Sequence, residues 1–208
     1  MDQALDRRPV GGHSVAVTDL PPARPWVWRT SGSVELVVPS PPHAVYDVIS
    51  DVTRIGERSP ECYAAHWLPG ATPGTVGAQF QGDNDAGRLA RWSRRCEVLA
   101  AEPGRVFAFR TVPARQPYTD STTWRYDLEP VDGGTRVRHS YEITRPPALP
   151  LRAVLGLTLS QHRDMRQQMQ VNLEALRDQF AAAALPAGEP GCEEVGARLS
   201  GGTEDGAA

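Results

Sequence analysis

Four residues with chemistry to offer, Arg94, Tyr126, His139 and Tyr141, fall in three segments where apolar residues recur at every second position. A guanidinium can steady a developing enolate oxygen, and phenols or an imidazole can move protons. Alternation of this kind sends successive side chains to opposite faces of a strand. Trp92, Arg94, Cys96 and Val98 share one face, against Arg91, Ser93, Arg95 and Glu97. Thr122, Trp124, Tyr126 and Leu128 oppose Thr123, Arg125, Asp127 and Glu129, and Val137, His139, Tyr141 and Ile143 oppose Arg136, Arg138, Ser140 and Glu142. One face of each strand is thus mixed in charge and reads as solvated surface. The other is apolar but carries polar tips.

An ordinary core avoids so many polar tips, because each unpaired one costs roughly 1–3 kcal/mol and a buried Arg costs more. Aromatic walls with a few convergent polar groups describe a small-molecule pocket. Phe80, Phe107 and Phe109 extend this face, and His162, Met165 and Met169 reach it from a helix. The candidate ligand-binding set is therefore Phe80, Trp92, Arg94, Phe107, Phe109, Trp124, Tyr126, His139, Tyr141, His162, Met165 and Met169. No residue is committed to catalysis; Arg94, Tyr126, His139 and Tyr141 are the candidates. Packing alternatives stand beside this reading. The two tyrosines also fit a core with hydroxyls at the sheet edge, His139 fits a satisfied core histidine, and Arg94 could pair with Glu61 or reach solvent. Met165 and Met169 fit adaptable core fillers, and His162 fits either the pocket mouth or the surface.

The elements that must position these residues can be read along the chain. Residues 33–38 form a short strand. Ser40 and Pro41 then open a helix with Val45, Val48 and Ile49 on its apolar face, since Ser can cap and Pro is tolerated at the first position. A second short helix is predicted over 52–58. Strands follow at 61–68, 76–82, 88–99, 105–112, 121–129 and 135–143, separated by Pro-Gly and Asp-Gly-Gly turns that imply an antiparallel meander. The last element is a long helix over 150–184. His162, Met165, Met169, Leu173, Leu176 and Phe180 make its apolar face, opposite Arg163, Arg166, Gln167, Gln170, Glu174 and Arg177. Residues 151–159 read as its first turns, with a separate gate as the alternative.

The length of 208 residues and a hydrophobic fraction of 40% suit one domain with a real core. Residues 1–31 read as a disordered arm, 32–185 as the domain, and 186–208 as a disordered acidic tail with five acids against one Arg. Trp26 and Trp28 are expected to dock on the domain. The net charge of −3 disfavours nucleic acid as a partner. All 22 basic residues are Arg, which excludes Schiff-base catalysis and a phosphate-loop lysine. The three cysteines are far apart and the five histidines form no metal-type pair. No cofactor or metal is expected. No signal peptide or membrane span is legible, so a cytoplasmic protein without stable membrane insertion is expected. Nothing in the sequence sets an oligomeric state.

One strand, two small helices, six antiparallel strands and a long terminal helix make the helix-grip arrangement, an α+β fold whose curved antiparallel sheet wraps the C-terminal helix. In PPHAVYDVISDVTRIGERSPEC (41–62), VGAQFQGDN (76–84), RWSRRCEVLAAEPGRVFAF (91–109), TTWRYDLEP (122–130) and GTRVRHSYEI (134–143), the sequence resembles the START-like (SRPBCC, Bet v 1-like) superfamily. Within it, the chain is similar to the polyketide cyclase/dehydrase and lipid-transport group of actinobacterial type. The resemblance implies a cavity between sheet and helix that takes a lipid-like or polycyclic aromatic molecule. It also implies an alternative function, aromatase/cyclase or dehydratase chemistry on poly-β-ketone chains. Arg94, Tyr126, Tyr141, Trp92 and Trp124 match that chemistry in residue type. One departure is Arg58, where related sequences are expected to carry Trp. A third reading, an interaction protein acting through the outer face or the acidic tail, has the weakest support.

Overall fold

A computed structural model describes residues 28–87, 91–115, 119–149 and 160–184. Seven strands run β1 (Ser31–Val38), β2 (Cys62–Trp67), β3 (Gln79–Asp85), β4 (Arg91–Glu102), β5 (Val106–Thr111), β6 (Ser121–Val131) and β7 (Gly134–Arg145). They form one antiparallel sheet in the order β1-β7-β6-β5-β4-β3-β2. Consecutive strands β2 to β7 pair as hairpins, and β1 closes on β7 from the far end of the chain order. Register shifts between Cys62 and Ala64, Val98 and Ala100, and Ser121 and Thr122 add twist, and such bulges bend a sheet. The concave side takes the helices.

Helix α1 (Pro42–Ser50) begins one residue later than Ser40 capping predicts. Pro41 occupies the cap position with extended backbone and no side-chain bond, and Pro42 takes the first turn. Prolines lose little there, because first-turn amides have no helical acceptor. Ser40 is used differently: its carbonyl accepts the Thr135 hydroxyl at 2.6 Å, tying the helix start to β7. The second helix is a 3-10 turn, Val52–Glu57, capped by Asp51, which accepts from the Thr53 amide at 3.1 Å. Gly134 lies at φ 142, and a Cβ there would strike the Val38 carbonyl, so the β6–β7 turn can pack on the end of β1 only with glycine.

The terminal helix α2 spans Arg166–Ala184, shorter than the periodicity predicts. Ser160–Arg163 forms a separate 3-10 turn. Asp164 makes the break, because its carboxylate accepts the Arg166 amide at 3.2 Å and the Arg166 guanidinium at 2.6 Å. Met169, Leu173 and Leu176 are buried on α2, as the periodicity predicts. Gln170, assigned to the polar face, is buried as well, with its amide held by Glu174 at 3.2 Å. The core sits where α1 and α2 meet the sheet: Val38, Val45, Ile49, Val98, Phe107, Val137, Leu173 and Leu176 are all fully buried.

The outer face of the sheet carries the mixed charges that strand alternation predicts. Arg110–Glu97 at 2.8 Å, Arg136–Glu129 at 2.9 Å and Arg125–Asp127 at 2.7 Å are exposed pairs. Each contributes about 0.2–1 kcal/mol at most. Residues 28–31, assigned to a disordered arm, are tied to the domain. The Arg29 amide donates to the Arg163 carbonyl at 2.9 Å, the Arg29 guanidinium meets Asp164 at 3.2 Å, and β1 begins at Ser31. The rest of the arm with Trp26, the 151–159 segment and the acidic tail lie outside the described residues. No described helix is long and apolar enough to cross a membrane.

Candidate functional site

Between the concave face of the sheet and α2 lies a cavity of about 390 Å³. Small-molecule pockets fall at roughly 300–1,000 Å³. The lining is mostly apolar, from Phe80, Phe109, Trp92, Trp124 and Ile143 on the sheet and Met165 and Met169 at the helix. Strand alternation places the sheet residues, since Trp92, Arg94 and Cys96 lie two apart on β4, and Trp124 and Tyr126 on β6. Phe80 meets Phe109 edge-on with ring centroids 5.3 Å apart, which fixes one wall.

Ten of the twelve residues expected from the sequence line this cavity: Phe80, Trp92, Arg94, Phe109, Trp124, Tyr126, His139, His162, Met165 and Met169. Phe107 and Tyr141 do not. Phe107 is fully buried and packs edge-on against Tyr46 of α1 at 6.3 Å, so it belongs to the core. Tyr141 lies against Trp124 at 5.8 Å and donates its hydroxyl to the Arg29 carbonyl at 3.3 Å. Burial, with the Asp164 charge beside it, raises its pKa, so it is a poor proton carrier.

Three polar groups interrupt the apolar lining. The Arg94 guanidinium donates to the Asp120 carboxylate at 2.8 Å and to the Asp120 carbonyl at 2.9 Å. Arg94 therefore does not pair with Glu61. Glu61 instead meets His162 at 3.0 Å and accepts from the Gln168 amide at 3.2 Å. His162 also leans on Trp92, with ring centroids 5.9 Å apart. The third group is Tyr126 and His139, stacked at 3.9 Å and 14°, with the Tyr126 hydroxyl 3.5 Å from the Asn172 amide oxygen.

His139 is a neutral imidazole here. Burial, reinforced by the Arg58 charge, pushes it down to about 3. It therefore does not serve as a base that cycles near neutral pH. An unfolded chain protonates histidine near 6.5. Between those two values the unfolded state binds the extra proton. The stability His139 contributes is thus present above about pH 6.5 and is lost as pH falls towards 3, on the order of 1 kcal/mol per pH unit. The denaturant midpoint is expected to fall between pH 7 and pH 5, and to fall less in His139→Phe. Equal slopes in both proteins would show that folded His139 takes up its proton as readily as the unfolded chain does.

Trp28, Glu61, Asp120, Gln168 and Asn172 also line the cavity without having been singled out as site residues. Cys62 and Cys96 do so too, but burial raises their thiols to about 11 and about 12, which leaves them inert as nucleophiles. No group of three His, Cys, Asp or Glu among the described residues is arranged to hold a metal.

Solved structures share this architecture. The di-domain ARO/CYC StfQ from the steffimycin biosynthetic pathway matches with a TM-score of 0.59 and 17% identity, over 74% of this chain and 51% of that one. TTHA0849 from Thermus thermophilus matches with a TM-score of 0.57 and 17% identity, over 74% of this chain and 99% of that one. Ara h 8.0201 matches at 0.52 and 15%, over 73% and 97%. At these identities the likeness is one of fold. No curated protein matches the chain in sequence. Residues 29–181 match the family model described as polyketide cyclase/dehydrase and lipid transport, a span that takes in the whole sheet, every cavity-lining residue but Trp28, and nearly all of α2. The chain belongs to the polyketide cyclase/dehydrase and lipid transport family.

Proposed function

We propose that this protein binds a small hydrophobic molecule, polycyclic aromatic or lipid-like, in the cavity between sheet and α2. The observation that carries this reading is the cavity itself: about 390 Å³ walled by Phe80, Phe109, Trp92, Trp124 and two methionines. A core built only for stability would fill such a space with side chains, since protein interiors pack to crystal-like density with few voids larger than a water. Methionines at the helix side suit a ligand of variable outline, because their side chains adapt. Family membership supports the same reading. The test is titration with N-phenyl-1-naphthylamine, a neutral dye that brightens in apolar surroundings. Saturable binding of one dye per chain is expected. A weak signal that never saturates would reject the reading.

One observation favours a second reading, an aromatase/cyclase or dehydratase. Glu61 holds His162 at 3.0 Å on the cavity wall, which is the arrangement of an imidazole base oriented by a carboxylate. A poly-β-ketone chain held in the cavity would have its reacting ends brought together. His162 would remove a proton from the carbon between two carbonyls, and that carbon would bond to a distant ketone carbon whose oxygen takes up the proton. The new hydroxyl would leave with a neighbouring C–H proton as water, forming a double bond. Incubation with a poly-β-ketone substrate should then give a product lighter by one water. His162→Gln should slow its formation a hundredfold or more, in line with the usual weight of a general base. No dehydrated product from the unaltered protein would remove this reading and leave ligand binding standing.

A further inference from the structure

Arg58 ends the 3-10 turn and is only 5% exposed. A guanidinium so buried normally has a carboxylate partner, because an uncompensated buried charge is strongly unfavourable. This one donates to backbone, to the Ile49 carbonyl at 3.2 Å and the Arg54 carbonyl at 3.4 Å, and approaches the Tyr126 hydroxyl. Its Nε has no partner among the described residues. Glu57, the acid nearest in sequence, is taken by Arg54 at 2.8 Å on the exposed side.

The charge lies behind the cavity wall. It acts on both Tyr126 and His139, which line the cavity together with Asn172. Both ring nitrogens of His139 are buried and have no partner among the described residues. Away from Arg58, the Tyr126 hydroxyl has the long 3.5 Å contact to Asn172. A neutral imidazole keeps one N–H, so this end of the cavity offers an N–H and an O–H beside a cation that no carboxylate among the described residues pairs. The other charged groups on the wall are already matched: Arg94 with Asp120, and Glu61 with His162 and Gln168.

We propose that Tyr126, His139 and Asn172 form an anion subsite, charged from behind by Arg58, for a ligand whose apolar body ends in a carboxylate or an acidic enol or phenol oxygen. The ligand's oxygen would accept from Tyr126 and His139 and supply the counter-charge for Arg58. Hydrogen bonds to an ionised acceptor are about twice as strong as neutral ones, so the subsite selects for charge. The proposal rests on the cavity being a ligand site and adds what the ligand must carry.

The experiment is displacement of bound N-phenyl-1-naphthylamine by 2-naphthoate and by 2-naphthylmethanol, which share a ring system and differ in charge. The carboxylate is expected to displace the dye at concentrations about tenfold lower or less, a difference lost in Arg58→Met and kept in Arg58→Lys. Equal displacement by the two compounds from the unaltered protein overturns the subsite, whether or not Arg58→Met folds. A preference that survives in folded Arg58→Met also overturns it, by placing the charge elsewhere. Failure of the dye itself to bind would overturn the cavity reading and the subsite together, a signature distinct from equal displacement.

Discussion

Thr122→Trp is expected to weaken binding of a naphthyl ligand about a hundredfold while the fold stays intact. Thr122 sits on the concave side of β6, lines the cavity and stands opposite Ile143 of β7. Its backbone amide donates to the Thr111 hydroxyl at 2.8 Å, a bond that the substitution leaves available. The indole would project into space that is empty rather than into packed core, so overpacking strain is small. A ring system excluded from that space forgoes roughly 100 Å² of apolar burial, about 2.5 kcal/mol, and each 1.4 kcal/mol is tenfold in affinity. The check is dye titration beside a denaturation curve. Unchanged affinity in a folded Thr122→Trp protein would place the binding surface elsewhere.

Phe107→Ala should do the opposite. Its ring is fully buried, meets Tyr46 edge-on at 6.3 Å and lies 6.0 Å from Phe109. Truncating a buried Phe costs about 3–5 kcal/mol, from lost transfer energy plus the cavity left behind. The denaturant midpoint is therefore expected to fall steeply. At temperatures where the variant remains folded, dye affinity should stay close to the original, because Phe107 does not line the cavity. A loss of affinity with little loss of stability would return Phe107 to the ligand site that its strand position suggests. The pair of variants separates what holds the fold from what holds the ligand.

How much of this was legible in the sequence depends on the distance over which each feature is decided. Strand alternation is local, and it assigned Trp92, Arg94, Trp124, Tyr126 and His139 to the concave face correctly. It does not say how far along the strand the cavity extends. Phe107 and Tyr141 have the right parity, but one is claimed by Tyr46 of α1 and the other by Arg29. Pairings across the chain were not legible at all. Glu61 and His162 are 101 residues apart, and Arg94 finds Asp120 on the segment before β6. The helix period runs unbroken from His162 to Phe180, yet Asp164 caps the Arg166 amide and starts α2 there. Arg58 was legible only as an unusual residue type. That its guanidinium is buried and lies behind Tyr126 and His139 depends on how the 3-10 turn packs on the sheet.

The polar groups of the cavity differ in what they can still do. Arg94 is held at both ends by one residue, so its charge is largely offset. His162 keeps an imidazole oriented by Glu61 beside Trp92. The Tyr126 hydroxyl has only its long contact to Asn172 and the approach of Arg58, and the ring nitrogens of His139 have no partner among the described residues. Binding of a neutral ligand would need only the apolar walls, and the proposed preference for an acidic ligand would add the third of these groups. Catalysis would need the second as well.

Native mass spectrometry of the protein after exposure to a cell extract shows whether a ligand is held between the sheet and α2. One discrete added mass per chain is expected on the unaltered protein and none on Thr122→Trp. A bound mass that falls by one water over time would add the cyclase or dehydratase reaction to ligand binding. A clean unliganded mass, or the same adduct on both proteins, would contradict a ligand held between the sheet and α2.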